Sequence, residues 1–115
     1  MKRDIDRLED ILEAVERIEK YVALGRHKFE SDELIQNWVV HHLQIVGEAA
    51  RQLSEELRRG HPEIPWSRII AMRNILVHDY FSVDLREVWA VVERDLLDLK
   101  RKMETILRQG GGSSA

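Results

Sequence analysis

Eight consecutive residues, Arg73-Asn74-Ile75-Leu76-Val77-His78-Asp79-Tyr80, gather a fixed cation, an amide, an imidazole, a carboxylate and a phenol. These are groups that phosphodiester cleavage uses. A histidine that titrates near neutrality can take a proton from a 2′-hydroxyl or give one to a leaving 5′-oxygen. An arginine can grip phosphate through two N–H groups and offset the charge of the transition state. Attack by the 2′-hydroxyl would leave a 2′,3′-cyclic phosphate. The scheme requires no metal ion and no cofactor.

Spacing alone is a weak signal. The chain has 13 arginines and five histidines, so chance supplies about 0.6 Arg-x4-His pairs. The same residues also describe a plain helix end, with His78 on the helix dipole and Arg73 in solvent. Helix geometry adds a constraint. Arg73 and His78 point about 140° apart and lie about 7.5 Å apart along a helix axis. Asn74 and His78, four residues apart, share a face, so Asn74 is expected to orient the His78 ring. Tyr80 returns to the Arg73 face only if the helix persists. Two copies of this helix meeting across a two-fold axis would surround one phosphate with Arg73 and His78 groups from both chains. Asp79 reads either as a charge tempering the local positive field or as a solvated helix-end residue.

The elements that must position this cluster read as helices throughout. Ile5, Leu8, Leu12, Val15, Ile18 and Val22 recur every three or four residues, predicting a first helix from about Asp4 to Leu24 with Gly25 as its stop. Ser31 or Asp32 is the expected N-cap of a second helix that runs on to Gly60. Its wide apolar arc suits a central helix, and Gly47, Ala49 and Ala50 would let a neighbour approach closely. The only prolines, Pro62 and Pro65, stiffen the connector His61–Trp66, and a third helix is expected from there to about His78. Asp84 with Glu87 reads as a capping box for a fourth helix through Ile106. The expectation is an all-α, up-and-down bundle of four main helices, with room for one extra short helix, filling residues 1–108. Residues 109–115 read from composition as a flexible Gly/Ser tail of the kind appended to expressed chains.

Composition narrows the function classes. The chain has 115 residues, 43% hydrophobic and 34% charged, the balance of one globular domain. It contains no cysteine, so disulfides and thiolate metal sites are excluded. No apolar run approaches the length of a membrane span, and the N-terminus lacks the apolar stretch of a signal peptide. A cytoplasmic protein is expected. A net charge of −3 argues against coating nucleic acid through bulk charge. Residues 51–81 are the least acidic stretch, with five Lys/Arg against four Asp/Glu, so any RNA contact should be local to it.

Other candidates carry alternatives. His41 and His42 point about 100° apart and cannot form a same-face metal pair. Glu48 lies among small residues of the central helix, where a buried acid needs a partner. Trp38, Trp66 and Trp89 suit core packing better than base stacking. Arg51, Arg58, Arg59, His61 and Arg68 fit a funnel for RNA and a solvated surface equally well.

Four blocks then occur in a telling order. They are Ile45-Val46-Gly47-Glu48-Ala49-Ala50-Arg51-Gln52-Leu53-Ser54, Pro62-Glu63-Ile64-Pro65-Trp66, Met72 to Phe81 with its Arg-Asn-x3-His-x-Tyr core, and Val88-Trp89. Over residues 4–108 the chain resembles the HepT-like branch of the HEPN superfamily. The resemblance implies a dimerising helical bundle and a metal-independent endoribonuclease toxin, with Arg73 and His78 as catalytic residues and Asn74 and Asp79 supporting. It implies a MntA-like nucleotidyltransferase antitoxin that transfers AMP to Tyr80. It also leaves open the family's older description, a non-catalytic nucleotide-binding subunit of a two-component nucleotidyltransferase.

Overall fold

The computed structural model describes residues 3–113, with side chains as far as Gln109. Seven α-helices and one 3-10 turn occur among the described residues, with no strand among them. They are α1 (Asp4–Val22), α2 (Arg26–Ser31), α3 (Glu33–Arg51), α4 (Glu55–Gly60), α5 (Trp66–His78), the turn Tyr80–Ser82, α6 (Leu85–Arg94) and α7 (Leu96–Ser113). The all-α expectation holds. Two of the four expected helices are each divided in two.

The long helices run antiparallel. Trp38 Nε1 of α3 donates to the Arg17 carbonyl of α1, while Ser54, just past α3, donates to Asp4 at the start of α1. α5 returns along α3, as the Gln44 Nε2 bond to the Leu76 carbonyl records. α7 closes on α1, where Lys100 Nζ reaches Glu19 at 2.9 Å. The core holds Leu8, Ile11, Val15 and Ile18 from α1, Val39, Leu43 and Val46 from α3, and Leu99, Met103 and Ile106 from α7. The 3.6-residue period aligns each of these sets on one face.

Local chemistry explains where helices start and stop. Asp32 caps α3 by accepting from the Leu34 and Ile35 N–H groups. Gly25 adopts φ +97°, a conformation that side-chain-bearing residues rarely take, and so turns the chain from α1 into α2. The second expected helix does not continue to Gly60. Ser54 breaks it, accepting from Leu57 N–H to cap α4 while its own hydroxyl donates to Asp4 at 2.6 Å. The fourth divides at Asp95, between α6 and α7. Asp84 does cap α6, but its carboxylate accepts from the Arg86 N–H at 2.9 Å. α7 runs into the stretch read as a tail, as far as Ser113; Ser114 and Ala115 lie outside the described residues. Trp66 and Trp89 are buried, and Trp38 stacks edge-on with Tyr21, so all three tryptophans serve packing.

α5 differs from its neighbours. It packs chiefly on α3. Of its 13 residues only Trp66 and Leu76 are buried, although Ile69, Ile70, Ala71, Met72, Ile75 and Val77 are also apolar. A groove of about 420 Å³ runs between α5 and the α6–α7 segment, with Leu43, Val46, Met72, Ile75, Val88 and Leu99 among its lining.

Candidate active site

The Arg73–Tyr80 cluster lies on the last turns of α5 and in the 3-10 turn that follows. Gly47 sets how closely α5 lies on α3. A Cβ at position 47 would overlap the Cβ and Cγ of Arg73 and press on the Ile69 carbonyl. Arg73 therefore runs along α3 and meets the next residue, Glu48, with Nη2 2.9 Å from Oε2. Its Nη1 donates to Asn74 Oδ1 at 3.0 Å. Only a fifth of the Arg73 side chain is exposed, so the solvated arginine of a plain helix end is not what forms.

Glu48 is the hub of this corner. Arg51 Nη2 donates to its Oε1 at 2.7 Å, and Gln52 Nε2 to the same oxygen at 2.6 Å. The Arg51 hydrogen bonds, then the Gln52 bond, hold the Glu48 carboxyl below the usual carboxylate range. Partial burial works against them, and the charges of Arg51 and Arg73 add to them. The acid among small residues has thus found three partners. Arg73 still has free donors, because its fork carries five N–H groups and these two contacts use two.

His78 is the last residue of α5 and is exposed. The Asn74 carbonyl oxygen accepts from Arg73, not from the His78 ring. The helix ends before Tyr80, so Tyr80 does not return to the Arg73 face. Instead its hydroxyl donates to Asn37 Oδ1 of α3 at 3.0 Å. Asp79 adopts φ −143° and ψ 47°, outside the helical region, and accepts from Ser82 Oγ at 2.9 Å. That bond fastens the 3-10 turn, and Asp79 is a turn residue first. The fully exposed Phe81 follows, its ring edge-on to Tyr80.

The α3 residues that reach the cluster are Asn37, Gln44 and Glu48, which contact Tyr80, Leu76 and Arg73 in turn. Their spacing places all three on one face of α3. Sequence reasoning missed Asn37 and Gln44. Their signal is this polar stripe opposite α5, readable only once α3 and α5 are known to run antiparallel.

The remaining candidates fall elsewhere. His42 is buried and pairs with the Trp38 carbonyl at 2.8 Å, while His41 meets the His42 ring edge-on. Among the described residues no group of three His, Asp or Glu could hold a metal ion. Arg59 is paired with Glu55, and His61 lies 3.5 Å from Glu63. Arg68 lines the groove, which touches neither Arg73, His78 nor Tyr80. No helix among the described residues is long and apolar enough to cross a membrane.

Comparison with known proteins places the chain. The profile of the ribonuclease HepT-like family matches residues 11–106. The chain belongs to that family. A protein of Thermococcus cleftensis named "Probable ribonuclease HepT" is 41% identical over 102 residues, which is 88% of this chain and 93% of that protein. A Methanocaldococcus jannaschii protein whose name also carries an RNase description is 32% identical, over 91% of this chain and 98% of its own length. A second protein of that organism, named for both a gamma-glutamylcyclotransferase and an RNase, is 36% identical over 95% of this chain but only half of its own. No solved structure matches the chain. Family membership makes the chain a ribonuclease of the HEPN type, with RNA as its substrate class.

Proposed function

We propose that this HepT-like chain is the toxin of a toxin–antitoxin pair, a homodimeric and metal-independent endoribonuclease acting through Arg73 and His78. The observation that carries the reading is the unlike state of these two residues at one helix end. Arg73 is anchored by α3, whereas His78 stands exposed on the final residue of α5. A fixed cation and an accessible imidazole suit phosphate binding coupled to proton transfer once groups from two chains converge. Asn74 supports by occupying one edge of the Arg73 fork, and Asp79 by fixing the turn beyond His78.

A second copy completes the site. At this site one chain offers one imidazole, whereas cleavage by 2′-hydroxyl attack uses a base at the 2′-oxygen and an acid at the leaving 5′-oxygen. The apolar residues that α5 leaves unburied supply a self-complementary surface for a two-fold contact. Tyr80 is the residue that silences the enzyme. Its hydroxyl is two residues from His78, and AMP transferred there by a MntA-like nucleotidyltransferase would bring a bulky anion to the phosphate site.

The test is RNA cleavage by the purified chain in EDTA, wild type beside His78→Ala, with intact mass measured on the same samples. Cleavage should fall at least a hundredfold in the variant, the scale of a lost acid–base group. Equal cleavage by both removes His78 from the mechanism. Absence of cleavage by unmodified wild type favours the nucleotide-binding subunit instead.

A further inference from the structure

The bond between Tyr80 and Asn37 joins residues 43 apart in sequence, and both side chains are exposed. Neither is a buried polar group that needs a partner, since water would satisfy both. The bond therefore contributes little to stability and much to orientation. A phenol has one proton and two lone pairs on the oxygen. With the proton committed to Asn37 Oδ1, the lone pairs point away from α3. The same contact ties the turn Tyr80–Ser82, which the Ser82–Asp79 bond fastens, to α3.

We infer that Asn37 is the positioning residue for nucleotidyl transfer to Tyr80, an inference that rests on the acceptor role proposed above. In that step a Tyr80 Oη lone pair attacks the α-phosphorus of ATP. The Oη–P bond forms as the bond from the α-phosphorus to the bridging oxygen breaks. Pyrophosphate leaves with that electron pair, and the phenolic proton passes to solvent. A neutral amide is too weak a base to keep the proton, so Asn37 aims the nucleophile and does not deprotonate it. The product oxygen has no proton left to donate. Transfer therefore ends the bond to Asn37 and frees the modified side chain from α3.

The experiment follows AMP incorporation by intact mass in the full-length chain, with ATP, magnesium and a purified MntA-like nucleotidyltransferase. Tyr80→Phe defines the acceptor. Asn37→Leu keeps the size but removes the acceptor oxygen, and its transfer kcat should fall about tenfold, the worth of one net hydrogen bond, with KM for ATP unchanged. Asn37→Asp restores an oxygen at the same place and should return kcat to within about twofold of wild type. Asn37→Ala repeats the loss should the leucine variant fail to fold. No incorporation into wild type, or equal incorporation into Tyr80→Phe, overturns the acceptor role itself. Incorporation confined to Tyr80 but undiminished in Asn37→Leu and Asn37→Ala, or unrestored by Asn37→Asp, leaves the acceptor role standing and overturns the part given to Asn37.

Discussion

α3 and α5 lie against each other yet meet opposite fates. α3 buries nine of its 19 residues and packs on both α1 and α5. α5 buries two of 13, although it is apolar on almost every side. A helix whose apolar residues serve only its own core shows one stripe and a polar back. α5 has no continuous polar back: Ser67 and Arg68 lie in its first turn, and Arg73, Asn74 and His78 in its second half. The difference separates two jobs along one contact. α3 and α1 make the fold, while α5 offers a surface and carries the proposed site towards its end.

The same side-chain deletion should therefore cost different things on the two helices. Ile18 of α1 is fully buried, and Ile18→Ala should lower stability by about 2–5 kcal/mol in denaturant unfolding. Ile75 of α5 is 54% exposed, and Ile75→Ala should stay within about 0.5 kcal/mol of wild type at concentrations where the chain is monomeric. Its loss should appear in self-association, read by sedimentation equilibrium. A large monomer destabilisation by Ile75→Ala, or unchanged association, breaks the comparison.

Gly47 tests the contact itself. Alanine is the better helix former by about 1 kcal/mol, so propensity alone predicts that Gly47→Ala stabilises α3. The added methyl would meet the stem of Arg73 and the Ile69 carbonyl. Overpacking of this kind typically costs about 1–3 kcal/mol, and we expect it to win. Arg73 should also shift from Glu48, so RNA cleavage should fall by more than the stability loss explains. A variant as stable and as active as wild type would mean that α5 can ease away from α3 at no cost.

This contrast explains how much was legible beforehand. Leu8, Val15 and Ile18 announced α1 because a buried stripe leaves its period in the sequence. Asp32 and Asp84 announced helix starts because a cap is local. The breaks at Ser54 and Asp95 were hidden because Ala50, Leu53 and Leu57, and then Val92, Leu96 and Leu99, keep helical phase across them. Ser54 is decided by Asp4, 50 residues away. α2 left one apolar mark, Phe29, too little for a period. In the candidate site, the residue types at positions 73–80 were legible and their partners were not. Asn74 faced His78 by helical spacing, yet the guanidinium beside it claimed its oxygen. Asn37 and Gln44 carried no signal until α3 and α5 were set antiparallel.

The smallest expected effect concerns Glu48, where the two helices exchange charge. Arg51 first, then Gln52, hold its carboxyl below the ordinary value of 4.5 in the folded chain. A lowered folded value means that the charged form is stabilised by folding. The contribution is complete above about pH 4.5 and is lost as pH falls through the folded value. Glu48→Gln removes it, so the variant's unfolding midpoint should decline less steeply than wild type below pH 4.5. The Glu48 side chain is a third exposed, so solvent screens the effect and the difference should be small. Near neutrality the amide still accepts from Arg73 but no longer balances its charge. An Arg73 held by a neutral acceptor keeps its place and gains pull on phosphate, so KM for RNA should fall at low salt. A rise in KM with unchanged acid unfolding would assign Glu48 to substrate binding and detach it from the α3–α5 contact.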